Sequence, residues 1–158
     1  MSYVLKIVIL VSGMAAFNII AMSKSDLIKC AGNNNAEELD RWLTPEIVNM
    51  RDDDYGYSLL AYAISGCFEK KNINDFIKTL AVFKKNNVDF NAPVKYGIWL
   101  IPPLLFAAGL GANNNDFKPV EAMIEAGANP HTIDGENRLI FDKLRASSTK
   151  YSDQNSHS

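Results

Sequence analysis

Two short segments set 40 residues apart constrain this chain most: Asn87-Val88-Asp89-Phe90-Asn91 and Gly127-Ala128-Asn129-Pro130-His131. Each follows a stretch with apolar residues at helical spacing. These are Ile73, Phe76, Ile77, Leu80 and Ala81 in one case, and Phe117, Val120, Met123 and Ile124 in the other. A helix commonly stops where one residue turns left-handed, which Gly does without steric cost and Asn more cheaply than other side chains. Asn87 and Gly127 are therefore expected to hold one structural position in two copies of a unit. Repetition of this kind implies units that bury little alone and share a core once stacked.

Upstream of each unit's final helix lies a second, shorter helical stretch, Ser58-Leu59-Leu60-Ala61-Tyr62-Ala63 in one and Pro102-Pro103-Leu104-Leu105-Phe106-Ala107-Ala108 in the next, with Gly56 and Gly97 marking the turns before them. A proline suits a helix start, because its fixed φ fits the first turn and its missing N–H has no partner there. This order of parts resembles ankyrin repeats, whose units open on a Thr-Pro-Leu-His-x-Ala helix start and close on a Gly-Ala-Asp-x-Asn exit. Ser58 stands for the family's Thr, Leu60 and Leu104 for its Leu, and Pro103 for its Pro. Both units depart from the family in lacking its His, replaced by Ala61 and Leu105, and in extra residues around Phe68 to Asn72 and Ile98 to Ile101.

The resemblance implies an all-α, ankyrin-type helix-turn-helix repeat solenoid with short hairpin or finger loops over residues 25–145. Repeats at 52–91 and 92–131 would stand between a cap at 25–51 and a C-terminal cap at 132–145. In the first cap, Asp26 to Ala31 and Ala36 to Leu43 are the expected helices, with Asn35 as N-cap and Glu38 three residues on. Residues 146–158 are Ser-rich and expected to be disordered.

At the N-terminus, Lys6 precedes an uncharged apolar run from Ile7 to Met22. That run falls short of the roughly 20 residues a spanning helix needs and reads as a signal-peptide h-region. Ala21-Met22-Ser23 places small residues at the last and third-last positions before a cut after Ser23, so residues 1–23 are read as an export signal. An exported, periplasmic chain is expected, with an uncleaved inner-membrane anchor, which would make the chain a membrane-tethered scaffold, as the alternative.

The whole chain has 16 basic and 18 acidic residues. Removing residues 1–23 takes one Lys and no acid, leaving a net charge of −3. Basic residues are scattered, and the pairs Lys70-Lys71 and Lys84-Lys85 fall at expected helix ends, so nucleic acid is not an expected partner. The sequence leaves open whether Cys30 and Cys67 are buried thiols or a disulfide.

Catalytic chemistry finds little support. His131 beside Pro130 has no nucleophile placed with it, Gly109-Leu110-Gly111 lacks the Lys of a phosphate loop and reads as a turn between helices, and Asp52-Asp53-Asp54 lacks a calcium loop's alternation and final Glu. The aspartate run reads as a solvated turn tip. No cofactor, no metal and no enzyme activity is expected.

Val94 to Ile101, which includes Tyr96, Ile98 and Trp99, is aromatic and aliphatic where an ankyrin finger is normally polar. Aromatic anchors bury large area with few rotors to freeze. With Tyr55 and Tyr57 on the preceding finger and Tyr62 on the inner helix, these residues form the candidate partner-binding set. The same apolar residues could instead seal the core under the loop. As an exported ankyrin-type module, the chain is expected to bind a protein partner, either an enzyme it protects or a toxin such as a phospholipase effector that it neutralises as an immunity protein.

Overall fold

A computed structural model describes residues 22–96 and 99–131, with Tyr96 and Trp99 described by their backbone alone. The expected C-terminal cap, the tail and the apolar N-terminal run before Met22 lie outside the described residues. The described part is mostly helical with one small sheet. Its order is α1 (Lys24–Gly32), α2 (Ala36–Trp42), α3 (Leu59–Lys70), α4 (Ile73–Lys85), β1 (Val94–Tyr96), β2 (Trp99–Ile101), α5 (Pro103–Asn114) and α6 (Lys118–Ala126). Among the described residues no helix is long and apolar enough to cross a membrane.

Side chains set the helix starts. Ser23, Asn35, Ser58 and Asn72 each accept the amide three residues on, satisfying one of the donors a helix start leaves open. Pro103 opens α5 as its fixed φ predicts. The expected cap at Asn35 is present, but the Glu38 carboxylate turns to Arg41 and to Trp42 Nε1.

The ends of α1, α4, α5 and α6 share one device. Asn34, Asn87 and Asn115 are left-handed at φ 52°, 60° and 52°, and Gly127 at 121°. After each, the next amide returns to a carbonyl five residues back: Asn35 to Cys30, Val88 to Phe83, Asp116 to Gly111 and Ala128 to Met123. That bond satisfies a carbonyl the helix would otherwise leave open. The equivalence of Asn87 and Gly127 extends into the exits, where the Asp89 carboxylate accepts the Asn91 amide and the Asn129 side chain accepts the His131 amide, both at 2.9 Å. Asn91 Oδ1 also accepts the Asn129 amide at 2.8 Å, tying one exit to the next.

Helices pack in two series: α1 on α3 and α3 on α5, α2 on α4 and α4 on α6, with α1, α3 and α5 also against α2, α4 and α6 in turn. One continuous core results, built around Leu39, Leu59, Ile64, Phe76, Phe83, Leu104 and Met123. The buried face of α4 is Phe76, Thr79, Leu80, Val82 and Phe83, whereas Ile77 is 47% exposed. Thus the apolar face is rotated from the expected one. The extra residues near Phe68 lengthen α3 to Lys70, and Gly109-Leu110-Gly111 lies inside α5 rather than in a turn. Gly111 suits that place because an added Cβ would come 2.8 Å from the Asp116 carbonyl and 3.0 Å from the Phe117 ring.

Both cysteines are free. Burial first, then Asp116, pushes the Cys67 thiol up to about 11; burial, then Glu38 and Asp26, raises Cys30. Both are held as protonated, weakly nucleophilic thiols. Thr79 is fully buried with its hydroxyl unpartnered. A buried donor without an acceptor costs about 1–3 kcal/mol, so Thr79→Val is expected to leave the thermal midpoint unchanged or raise it by a few degrees. A fall in the midpoint would mean the hydroxyl has a partner.

Candidate functional site

The loop between α2 and α3 is organised by one side chain. Asp52 Oδ1 accepts the amides of Tyr55 and Gly56, and Oδ2 accepts the amide of Tyr57 at 2.8 Å and the hydroxyl of Tyr62 at 3.0 Å. Aspartate suits this because its ionised carboxylate offers about four acceptor positions on a short stem. Gly56 takes φ 73°, and a Cβ there would meet the Lys95 side chain at 3.1 Å, so the loop lies directly against β1. Arg51 fastens the two loops, donating to the carbonyls of Gly56 at 3.0 Å and Pro93 at 2.6 Å. Asp52 is therefore a structural anchor, not part of a solvated tip; Asp53 and Asp54 are exposed.

These contacts make the protonation states asymmetric. Burial raises the Asp52 pKa, but the three amides and the Tyr62 hydroxyl outweigh it and hold the carboxyl below its ordinary 3.8. Burial, then the hydrogen bond to Asp52, pushes Tyr62 up to about 12, so it stays a donor at neutral pH.

Three of the six expected residues come together. The Tyr55 and Tyr57 rings are 5.8 Å apart, Tyr57 and Tyr62 again 5.8 Å edge to face, and Tyr57 reaches Phe106 of α5 at 6.5 Å. Tyr55 is 65% exposed while Tyr57 and Tyr62 are half-buried against the core, giving one aromatic surface with a fixed base and an open edge. Tyr96 and Trp99 are directly paired across the antiparallel hairpin, and Ile98 lies outside the described residues. The hairpin divides its apolar residues: Val94 is buried and Ile101 half-buried against the core, while Leu100 is 66% exposed.

Sequence reasoning missed Phe106, Leu100 and Asp52. In the expected repeat alignment Phe106 falls opposite Tyr62, two residues after Leu104 and Leu60 respectively, so that alignment contained the signal. Asp52 was legible as an aspartate four residues before a turn glycine.

Beside the loop, a cleft of about 170 Å³ is lined by Val48, Arg51, Ser58, Leu60, Val88 and Asp89. Small-molecule sites run to about 300–1,000 Å³, so this cleft is smaller than a typical small-molecule site. No group of three or more His, Cys, Asp and Glu suited to a metal ion exists among the described residues. His131 is exposed, its amide bonded to Asn129. No model of a known protein family matches the chain, and the search of curated proteins finds no match either.

Proposed function

We propose that this chain is an exported, ankyrin-type helical repeat protein that acts without catalysis, binding one protein partner through the Tyr55–Tyr57–Tyr62–Phe106 surface and the adjoining hairpin. The repeat reading draws support from the ordered packing of the odd and the even helices and from the matched exits at Asn87 to Asn91 and Gly127 to His131. The observation that carries the binding reading is the exposed Tyr55 on a loop whose three amides are fixed by Asp52. A large ring held in one place in water gives up hydration but loses little further freedom on binding, the combination found in interface anchors. Neutralising or shielding a protein such as a secreted phospholipase toxin, in the manner of an immunity protein, fits such a surface.

Affinity capture followed by mass spectrometry identifies the partner, and substitutions then test the surface. Tyr55→Ala and Trp99→Ala are each expected to weaken binding about tenfold or more, the loss of roughly 1.4 kcal/mol typical of an interface anchor. Circular dichroism should be unchanged. Unaltered affinity in both folded variants would remove this surface from the interface.

A further inference from the structure

Residues 51 to 58 form a closed loop with Arg51 at its base. Arg51 and Ser58 pair as an isolated antiparallel bridge, and the Asp52 amide donates to the Tyr57 carbonyl at 2.9 Å. The Arg51 guanidinium makes no ion pair among the described residues. It donates to backbone instead, Nη1 to the Gly56 carbonyl at 3.0 Å and Nη2 to the Pro93 carbonyl at 2.6 Å. Gly56 follows Tyr55 in the loop, and Pro93 immediately precedes β1. Among the described residues this is the hydrogen bond that bridges the two segments. A planar guanidinium can serve two separate acceptors at once, whereas a lysine ammonium is a point charge on a flexible stem. The segments also touch at Gly56, where an added Cβ would come 3.1 Å from Lys95 Cδ.

We propose, resting on the binding reading above, that Arg51 is a positioning residue that joins the Asp52 loop and the β1–β2 hairpin into one cooperative recognition surface. A hairpin of two three-residue strands is marginal by itself and must be held from outside. Val94 and Ile101 hold its base to the core. Arg51 adds a tie to the loop, and that tie depends on Asp52, which receives the Tyr55 and Gly56 amides and so sets the Gly56 carbonyl where the guanidinium meets it. The geometry that Asp52 imposes on Tyr55 is thereby carried to the strands. A partner meeting two parts already fixed to each other loses less freedom on binding than one meeting two parts that move independently.

Native-state hydrogen exchange on the full chain, without partner, tests the coupling. Arg51→Lys keeps the charge but cannot hold both carbonyls, and should speed exchange of the amides in residues 93–101 roughly tenfold, the scale of one lost charge-assisted bond. Amides of α4 should exchange as in wild type, which shows that the variant is folded. Asp52→Ala should speed hairpin exchange when Arg51 is present and add nothing in Arg51→Lys, because the route from loop to hairpin is already cut. Unchanged hairpin exchange in Arg51→Lys, acceleration spread equally over α4, or simple addition of the two effects each overturns the coupling. With the captured partner, Arg51→Lys is expected to weaken binding about as much as Trp99→Ala does. Undiminished affinity overturns the role in recognition. If Tyr55→Ala and Trp99→Ala also bind as wild type, the binding surface itself fails, and the exchange result, measured without partner, still decides the coupling.

Discussion

Gly66→Ala is expected to cost about 3 kcal/mol or more, a large part of the stability of a domain this size. Gly66 lies in α3 where α1 crosses it, and an added Cβ would come 1.8 Å from the Gly32 carbonyl oxygen and 2.7 Å from its carbon. Those atoms are backbone at the last residue of α1, so no rotamer change relieves the overlap. The two helices must move apart, disturbing the α1–α3 contact and the core in which Leu27 and Ala31 are buried. Alanine's better helix propensity returns at most about 1 kcal/mol. Gly109→Ala in α5 is the control: nothing lies within 4 Å of its added Cβ, so it should stabilise by up to about 1 kcal/mol. Urea unfolding of both variants measures the difference, and equal midpoints would mean that the two helices are not in close contact at Gly66.

The sequence could not reveal that crossing. Gly66 sits inside an apolar helical run with nothing local to mark it, and the reason for a glycine there is a backbone 34 positions away in sequence. By contrast, the features set by a few consecutive residues were legible. Helix starts at Asn35 and Ser58 follow from side chains that can reach an amide three residues on, and the ends at Asn87 and Gly127 from the low cost of a left-handed turn. Which face of α4 is buried was read wrongly. Ile77 and Phe83 are both apolar, and only packing by α2, α3 and α6 chooses Phe83. Gly109-Leu110-Gly111 reads as a turn between helices, yet both glycines lie inside α5, where the Asp116 carbonyl and Phe117 ring leave no room for a side chain at Gly111. For the site, the three tyrosines were legible as a set. Their ordering around Tyr57 and the contribution of Phe106 depend on how α3 and α5 stack, which composition does not contain.

Asp52→Ala is expected to destabilise the domain by about 2–3 kcal/mol and to weaken partner binding while every tyrosine remains. The substitution removes the acceptor of three amides and one hydroxyl at once. Bonds to an ionised carboxylate are each worth about 1.5–3 kcal/mol, but water can reach the exposed Tyr55 amide again, so the total falls well below their sum. Asp52→Asn should lie between. Its oxygen can still receive the Tyr55 and Gly56 amides, while its NH2 faces the Tyr57 amide, donor against donor. Acid provides an independent reading of the same contacts. Because the native state holds the Asp52 carboxyl below 3.8, its contribution is complete above 3.8 and is lost as pH falls through the depressed native value. The wild-type domain should therefore lose stability toward pH 3 more steeply than Asp52→Asn, so the difference between them narrows with acidification. Parallel stability curves for the two proteins from pH 6 to pH 3 would show that the carboxylate does not hold the loop. If Asp52→Ala unfolds at the expected lower urea concentration yet captures partner as wild type does, the loop's fixed geometry matters to the fold and not to recognition.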